Sequence, residues 1–139
     1  MRVLRSQYLL DSDILIAHAL GFQPTIRLVN ELAPSGLCIS IISYGEVLKG
    51  ALGKPALELQ TNVLSEMLRS IAIINLDTET MNAFAEMRFN LRRAGRIMGD
   101  LDNLIAATAI RHDLTLITRN VRHFERVPAL RLLTPFLPE

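Results

Sequence analysis

The residues best suited to chemistry in this chain are Asp11, Glu46 and Asp102, with Asn120 as a polar companion. Asp11 directly follows the apolar run Tyr8-Leu9-Leu10. Glu46 comes one helical turn after the run at residues 37–42, and Asn120 follows the run at residues 114–118 by two positions. In an open parallel sheet, ligands gather outside the carboxyl ends of the strands. These three positions therefore fall on one sheet edge, and Asp102, in the first turn of the helix before the last of these runs, joins them if its helix packs across that edge. Carboxylates brought into one cleft repel each other and take up protons unless a cation neutralises them. Hard oxygen ligands suit Mg²⁺ or Mn²⁺ rather than zinc. An ion held this way orients a water, lowers its pKa and stabilises charge on a phosphodiester as the bond breaks.

Taken singly, each acid has a plainer role. Asp11 can cap the helix that follows it, Ser43-Tyr44-Gly45-Glu46 fits a capping box, and Asp102 suits the positive end of a helix dipole. Asp13, Asp77 and Asp100 read as caps or solvated groups. Other chemistries lack their residues: one cysteine and three scattered histidines give little support to zinc, and there is no glycine-rich phosphate loop and no nucleophile elbow. Cys38 lies inside an apolar run, where it reads as a small buried hydrophobe.

The elements that must position these residues alternate between strand and helix. The first strand ends at Asp11, and a helix begins around Ile14 and is interrupted near Gly21 and Pro24. A second helix covers residues 25–32 and stops at Pro34-Ser35-Gly36. A strand at 37–42 leads into a helix from Ser43 to about Leu52. Gly53-Lys54-Pro55 makes a turn into another helix through Leu57, Leu64 and Leu68. Residues 71–76 form a short branched strand buried on both faces. Asp77 and Thr78 cap a long helix reaching Ala94. Residues 101–111 form a helix whose small Ala106, Ala107 and Ala109 permit close packing, residues 114–118 a fourth strand, and residues 130–133 a fifth at an edge. This order predicts an α/β protein with a mainly parallel sheet covered by helices on both faces.

At 139 residues with half of them hydrophobic, the chain is the size of one domain, taken as residues 1–139. No run approaches a membrane span and no secretory leader is visible, so the cytoplasm is the expected compartment. The net charge is only +1, but residues 86–131 hold nine arginines against five acids, a local basic face suited to phosphates. Arg88 and Arg92 are one turn apart, and Arg119 and Arg122 flank Asn120. Seven aromatics and no tryptophan argue against extensive base stacking.

Four segments together resemble the successive motifs of PIN-domain nucleases: Leu10-Asp11-Ser12-Asp13-Ile14-Leu15-Ile16, Ser43-Tyr44-Gly45-Glu46-Val47-Leu48-Lys49-Gly50, Asp102-Asn103-Leu104-Ile105-Ala106-Ala107-Thr108-Ala109 and Thr118-Arg119-Asn120-Val121-Arg122-His123-Phe124. The nearest subgroup is the VapC-like toxins of toxin–antitoxin pairs. The resemblance implies a three-layer α/β/α fold with a four- or five-stranded sheet, and a Mg²⁺- or Mn²⁺-dependent endoribonuclease that is homodimeric and silenced by a cognate antitoxin. It assigns Asp11, Glu46 and Asp102 to the metal, with Ser12 and Asn120 as polar members of the site. One departure stands out: many relatives carry an acid immediately before the last motif's Phe, where this chain has His123. The fourth carboxylate is missing unless Asp13 or Asp100 substitutes for it.

Substrate contacts are then expected from Ser12, Arg119, Arg122 and His123, the imidazole touching a phosphate or protonating the leaving oxygen. The apolar helices around residues 57–68 offer a dimer or antitoxin surface, or simply core. Two rivals remain at this level: a PIN-like binding module without catalysis, and a phosphorylatable receiver domain in which Asp77 takes the phosphoryl group. The second lacks a lysine after its last strand.

Overall fold

The computed structural model describes residues 6–52 and 61–135. Five short strands, β1 (Tyr8–Leu10), β2 (Leu37–Ser40), β3 (Ala72–Ile74), β4 (Thr115–Ile117) and β5 (Arg131–Leu133), form one sheet in the order β3-β2-β1-β4-β5. Every neighbouring pair is parallel. The chain builds outward from β1 to β2 and β3, then returns to lay β4 on the other side of β1. The strand order therefore reverses between β1 and β4, and the crevice outside their carboxyl ends is where such sheets bind ligands.

Alternation along the strands splits the core into two layers. Leu9, Cys38 and Leu116 face one side and pack with Met87, Leu91, Ile105 and Phe124. Leu10, Ile39 and Ile117 face the other, against Ile14, Leu15, Val29, Val47 and Leu64. The first layer is covered by α5 (Thr78–Arg93) and α6 (Asp100–Arg111), the second by α1 (Ser12–Ala19), α2 (Gln23–Leu32), α3 (Ile41–Ala51) and α4 (Thr61–Ser70). Ala106, Ala107 and Ala109 are fully buried, so the small residues of α6 do bring that helix close to its neighbours. Cys38 is buried and free, and burial pushes its thiol up to about 12. Among the described residues no helix is long and apolar enough to cross a membrane.

Several boundaries differ from the sequence expectation. Strand β2 ends at Ser40, and Ile41 and Ile42 form the first turn of α3. The reason is local: Ser40 Oγ accepts a hydrogen bond from the Ser43 amide at 3.0 Å, which makes Ser40 the cap, and Ser43 sits inside the helix. Helix α2 starts two residues early, at Gln23, because Pro24 fits its first turn. A short helix α7 (Val121–Phe124) follows β4 where no element is predicted. The expected turn at 53–55 and helix entry through Leu57 lie outside the described residues.

Ser40 and Ser43 are both completely buried, and their hydroxyls also meet at 3.3 Å. Ser40→Ala should therefore cost about 1–2 kcal/mol, seen as a lower urea midpoint with an unchanged m-value. A midpoint matching the unsubstituted protein would show that this cap does not hold α3 in place.

Candidate active site

Asp11 leaves β1 at the point of strand-order reversal and caps α1, its Oδ1 accepting from the Ser12 amide at 2.9 Å. Its other oxygen, Oδ2, accepts from the Thr118 hydroxyl at 2.8 Å. The side chain of Thr118 is fully buried just beyond β4, so the bond crosses the seam between the two strands that diverge there. The same carboxylate thus starts α1 and lies at the strand-order reversal.

Glu46 reaches the crevice from α3. With Ser40 as the cap, Glu46 lies well inside the helix and has no capping-box role. Its Oε1 accepts a weak 3.4 Å bond from Ser12 Oγ. Asp102 lies in the first turn of α6, whose cap is the glycine at 99 with no side-chain bond. Its Oδ2 lies 2.8 Å from His123 Nε2 on α7, and Phe124, next in sequence, is buried and anchors that short helix.

Asp11 and Glu46 are both raised by burial and by neighbouring negative charge. Burial pushes Asp11 above the usual carboxylate range, offset by the bonds from Thr118 and Ser12, and Asp102 pushes it further in the same direction. Glu46 is raised by burial and then by the charges of Asp11 and Asp102. A cation placed among these charges would relieve the repulsion that raises them. Among the described residues, however, no three His, Cys, Asp or Glu side chains are gathered closely enough to share an ion as they stand. The donor chemistry fits a hard divalent cation, and the side chains would have to close on it.

Two residues belong in this account that the sequence reading set aside. Thr118 is the first: besides donating to Asp11, it accepts from the Asn120 amide at 3.0 Å. Its signal was available in principle, as a hydroxyl ending the strand that neighbours β1. Asp13 is the second. It is neither a cap nor a solvated group but half-buried, with Oδ2 accepting from the Arg119 amide at 3.1 Å and Oδ1 buried without a partner. Burial and the neighbouring Asp11 charge push it up to about 7. Asp100 instead pairs with Arg88 at 2.8 Å on the surface, and Asp77 caps α5 through the Thr80 amide at 2.7 Å. Asp77 follows the edge strand β3, away from the crevice, which removes the structural basis for a receiver reading.

The remaining expected contacts are looser. Asn120 contributes its amide to Thr118, and its exposed side chain makes no hydrogen bond to the acids. Arg119 is held near Asp13 by its backbone, and Arg122 is exposed on α7. Much of the arginine surplus is engaged elsewhere: Arg88 with Asp100, Arg111 with Glu79, Arg131 with Asp113, and Arg126 with the Ile97 carbonyl.

The raised acids give stability a pH dependence of fixed sign. The folded protein keeps the Asp13 proton to about pH 7, whereas the unfolded chain releases it near 3.8. Between those values the unfolded state binds fewer protons, so this group lowers stability as pH rises. His18 and His112, both lowered by burial, act in the opposite sense. The comparison that isolates Asp13 is therefore with Asp13→Asn. The variant should gain on the unsubstituted protein as pH rises, reaching on the order of 4 kcal/mol at about pH 8 without added metal. Parallel denaturation curves at about pH 4 and about pH 8 that show a constant difference would contradict this.

Comparison with known proteins agrees with the architecture. The PIN domain model matches residues 8–130. Ribonuclease VapC2 of Rickettsia felis is 31% identical over 128 residues, covering 90% of this chain and 95% of that protein. The tRNA(fMet)-specific endonuclease VapC of Salmonella typhimurium is 29% identical over 126 residues, covering 91% and 96%. Among solved structures, DNA-bound VapBC from Salmonella typhimurium superposes with a TM-score of 0.84 at 28% identity, covering 94% of this chain and 99% of that one. VapBC2 from Rickettsia felis, bound to a DNA fragment from its promoter, gives 0.83 at 28% identity, covering 91% and 97%. With a matching domain model across most of its length and full-length ribonuclease relatives, the chain belongs to the PIN domain family, in its VapC-like branch.

Proposed function

We propose that this chain is a Mg²⁺- or Mn²⁺-dependent endoribonuclease, folded as one domain and serving as the toxin of a toxin–antitoxin pair in the cytoplasm. The observation that carries the reading is the buried Asp11 carboxylate at the strand-order reversal of a VapC-like chain, with Glu46 and Asp102 near enough for their charges to be felt there. Asp11, Glu46 and Asp102 would hold the ion. When bound, it would supply an activated water and charge stabilisation on the phosphodiester.

The chain's own residues do the rest. Thr118 fixes the Asp11 carboxylate by occupying Oδ2, and the Ser12 amide fixes Oδ1, so Asp11 is oriented before any ligand arrives. The Ser12 hydroxyl restrains Glu46 loosely, which leaves that carboxylate free to accept a proton from an attacking water or to turn toward the ion. Arg119, Arg122 and Asn120 stand on the loop and short helix beside the acids, where they would meet phosphates on either side of the cut. A partner antitoxin is supported by the relatives solved as VapBC complexes, and a homodimer is part of the same proposal.

His123 supports a second reading, that of a binding module without catalysis, because the imidazole contacts Asp102 at the position where many relatives supply an acid. RNA cleavage separates the two. With Mg²⁺ or Mn²⁺ the unsubstituted protein should cut single-stranded RNA, and Glu46→Gln should lower kcat/KM by about 100-fold or more. A module would cut in neither form. If His123 exchanges a proton with substrate, His123→Ala should flatten the rate profile between about pH 6 and 9. An unaltered profile would leave His123 as a rim residue.

A further inference from the structure

Helix α3 carries two glycines, Gly45 and Gly50. Glycine weakens a helix relative to alanine, and neither position needs it for the backbone. Among the described residues, the glycines with positive φ are Gly21, Gly36 and Gly95. A Cβ at Gly45 would meet nothing within 4 Å, and one at Gly50 would make an ordinary 3.6 Å contact with Ile16 Cδ1. The fold itself therefore accepts a side chain at both.

What both positions share is a groove of about 600 Å³, within the range that holds small ligands. Ser12 and Glu46 also line it, so it is continuous with the acidic cleft. Ile42, Gly45, Glu46 and Lys49 recur at helical spacing on one face of α3, and Leu101, exposed at the start of α6, also lines the groove. The floor is thus bare backbone at Gly45 with apolar groups on either side. Lys49 is exposed, stands near enough to Glu46 to lower its pKa, and makes no salt bridge among the described residues. A largely apolar groove beside the proposed phosphodiester-cleaving site, with one cation in its lining, matches a nucleobase and its phosphate.

We infer that this groove is the subsite for a nucleotide adjoining the scissile phosphate: its base lies on the uncovered backbone at Gly45, between Ile42 and Leu101, and Lys49 takes its phosphate. This rests on the ribonuclease reading above. It requires an unstacked base, so the substrate at this position is single-stranded.

The test uses the full chain with Mg²⁺ and a mixed-sequence single-stranded RNA, with binding followed separately by fluorescence anisotropy in Ca²⁺. Gly45→Ala should raise the melting temperature by about 2–5 °C, which shows that the position tolerates a side chain. Gly45→Leu should fold and raise KM by about 10-fold, by obstructing the base. Lys49→Gln should weaken binding and reduce the slope of log affinity against log salt by about 0.7, the mark of one lost phosphate contact on a single strand. A folded Gly45→Leu with unchanged KM, or an unchanged salt slope for Lys49→Gln, overturns the subsite while leaving the ribonuclease reading intact. Unchanged RNA constants combined with loss of co-purifying antitoxin assign the groove to a peptide instead and also overturn it. Failure of the unsubstituted protein to cut or bind RNA defeats both readings together.

Discussion

Burial of the Asp11 carboxylate is the constraint around which the molecule is arranged. The residue is only 7% exposed, and desolvation is the largest influence on its proton affinity. Two hydrogen bonds oppose that penalty, one from the amide that starts α1 and one from Thr118 across the seam to β4. The first is local to the start of α1, whereas the second exists only because β1 and β4 are neighbours in the strand order. Asp102 and Glu46 then add negative charge to the same crevice. A fold optimised for stability alone would not gather these groups, since buried charge without a counter-charge is unfavourable. The proposed divalent cation would supply that counter-charge.

The layers were legible because they depend on periodicity. Leu9 and Leu10 point to opposite faces, as do Cys38 and Ile39, and the continuous apolar runs announce strands covered on both sides. The alanines of α6 likewise announced a close approach, and they are fully buried. The junctions were harder. Ile41 and Ile42 extend an apolar run that looks like strand, yet one hydroxyl at Ser40 turns the chain into a helix there. Short-range bonds of this kind leave little trace in hydrophobic pattern.

The site was legible in the acids that follow strands and illegible wherever long-range pairing decides a role. Asp13 resembles any acid in a first helical turn, and only the fold shows the Arg119 amide pointing at it from the far end of the chain. Thr118 resembles any threonine in a strand until β4 is placed beside β1. The arginine surplus was real as a count but misleading as a surface, because surface acids and a backbone carbonyl engage several of its members. His123 was visible as a departure from the motif, but its contact with Asp102 depends on how α7 packs through Phe124.

The bond between Thr118 and Asp11 also has a bearing on biosynthesis. Its partners are separated by 107 positions, and the Thr118 amide is itself secured to the Leu133 carbonyl of β5. Domains fold as units while the chain is still being made, but here the first acid of the site is translated early and its restraint arrives only after nearly all later elements. A nascent chain on the ribosome therefore carries Asp11 without the seam that orients it. Until β4 has been made and docks beside β1, the Asp11 carboxylate lacks the partner that holds its second oxygen.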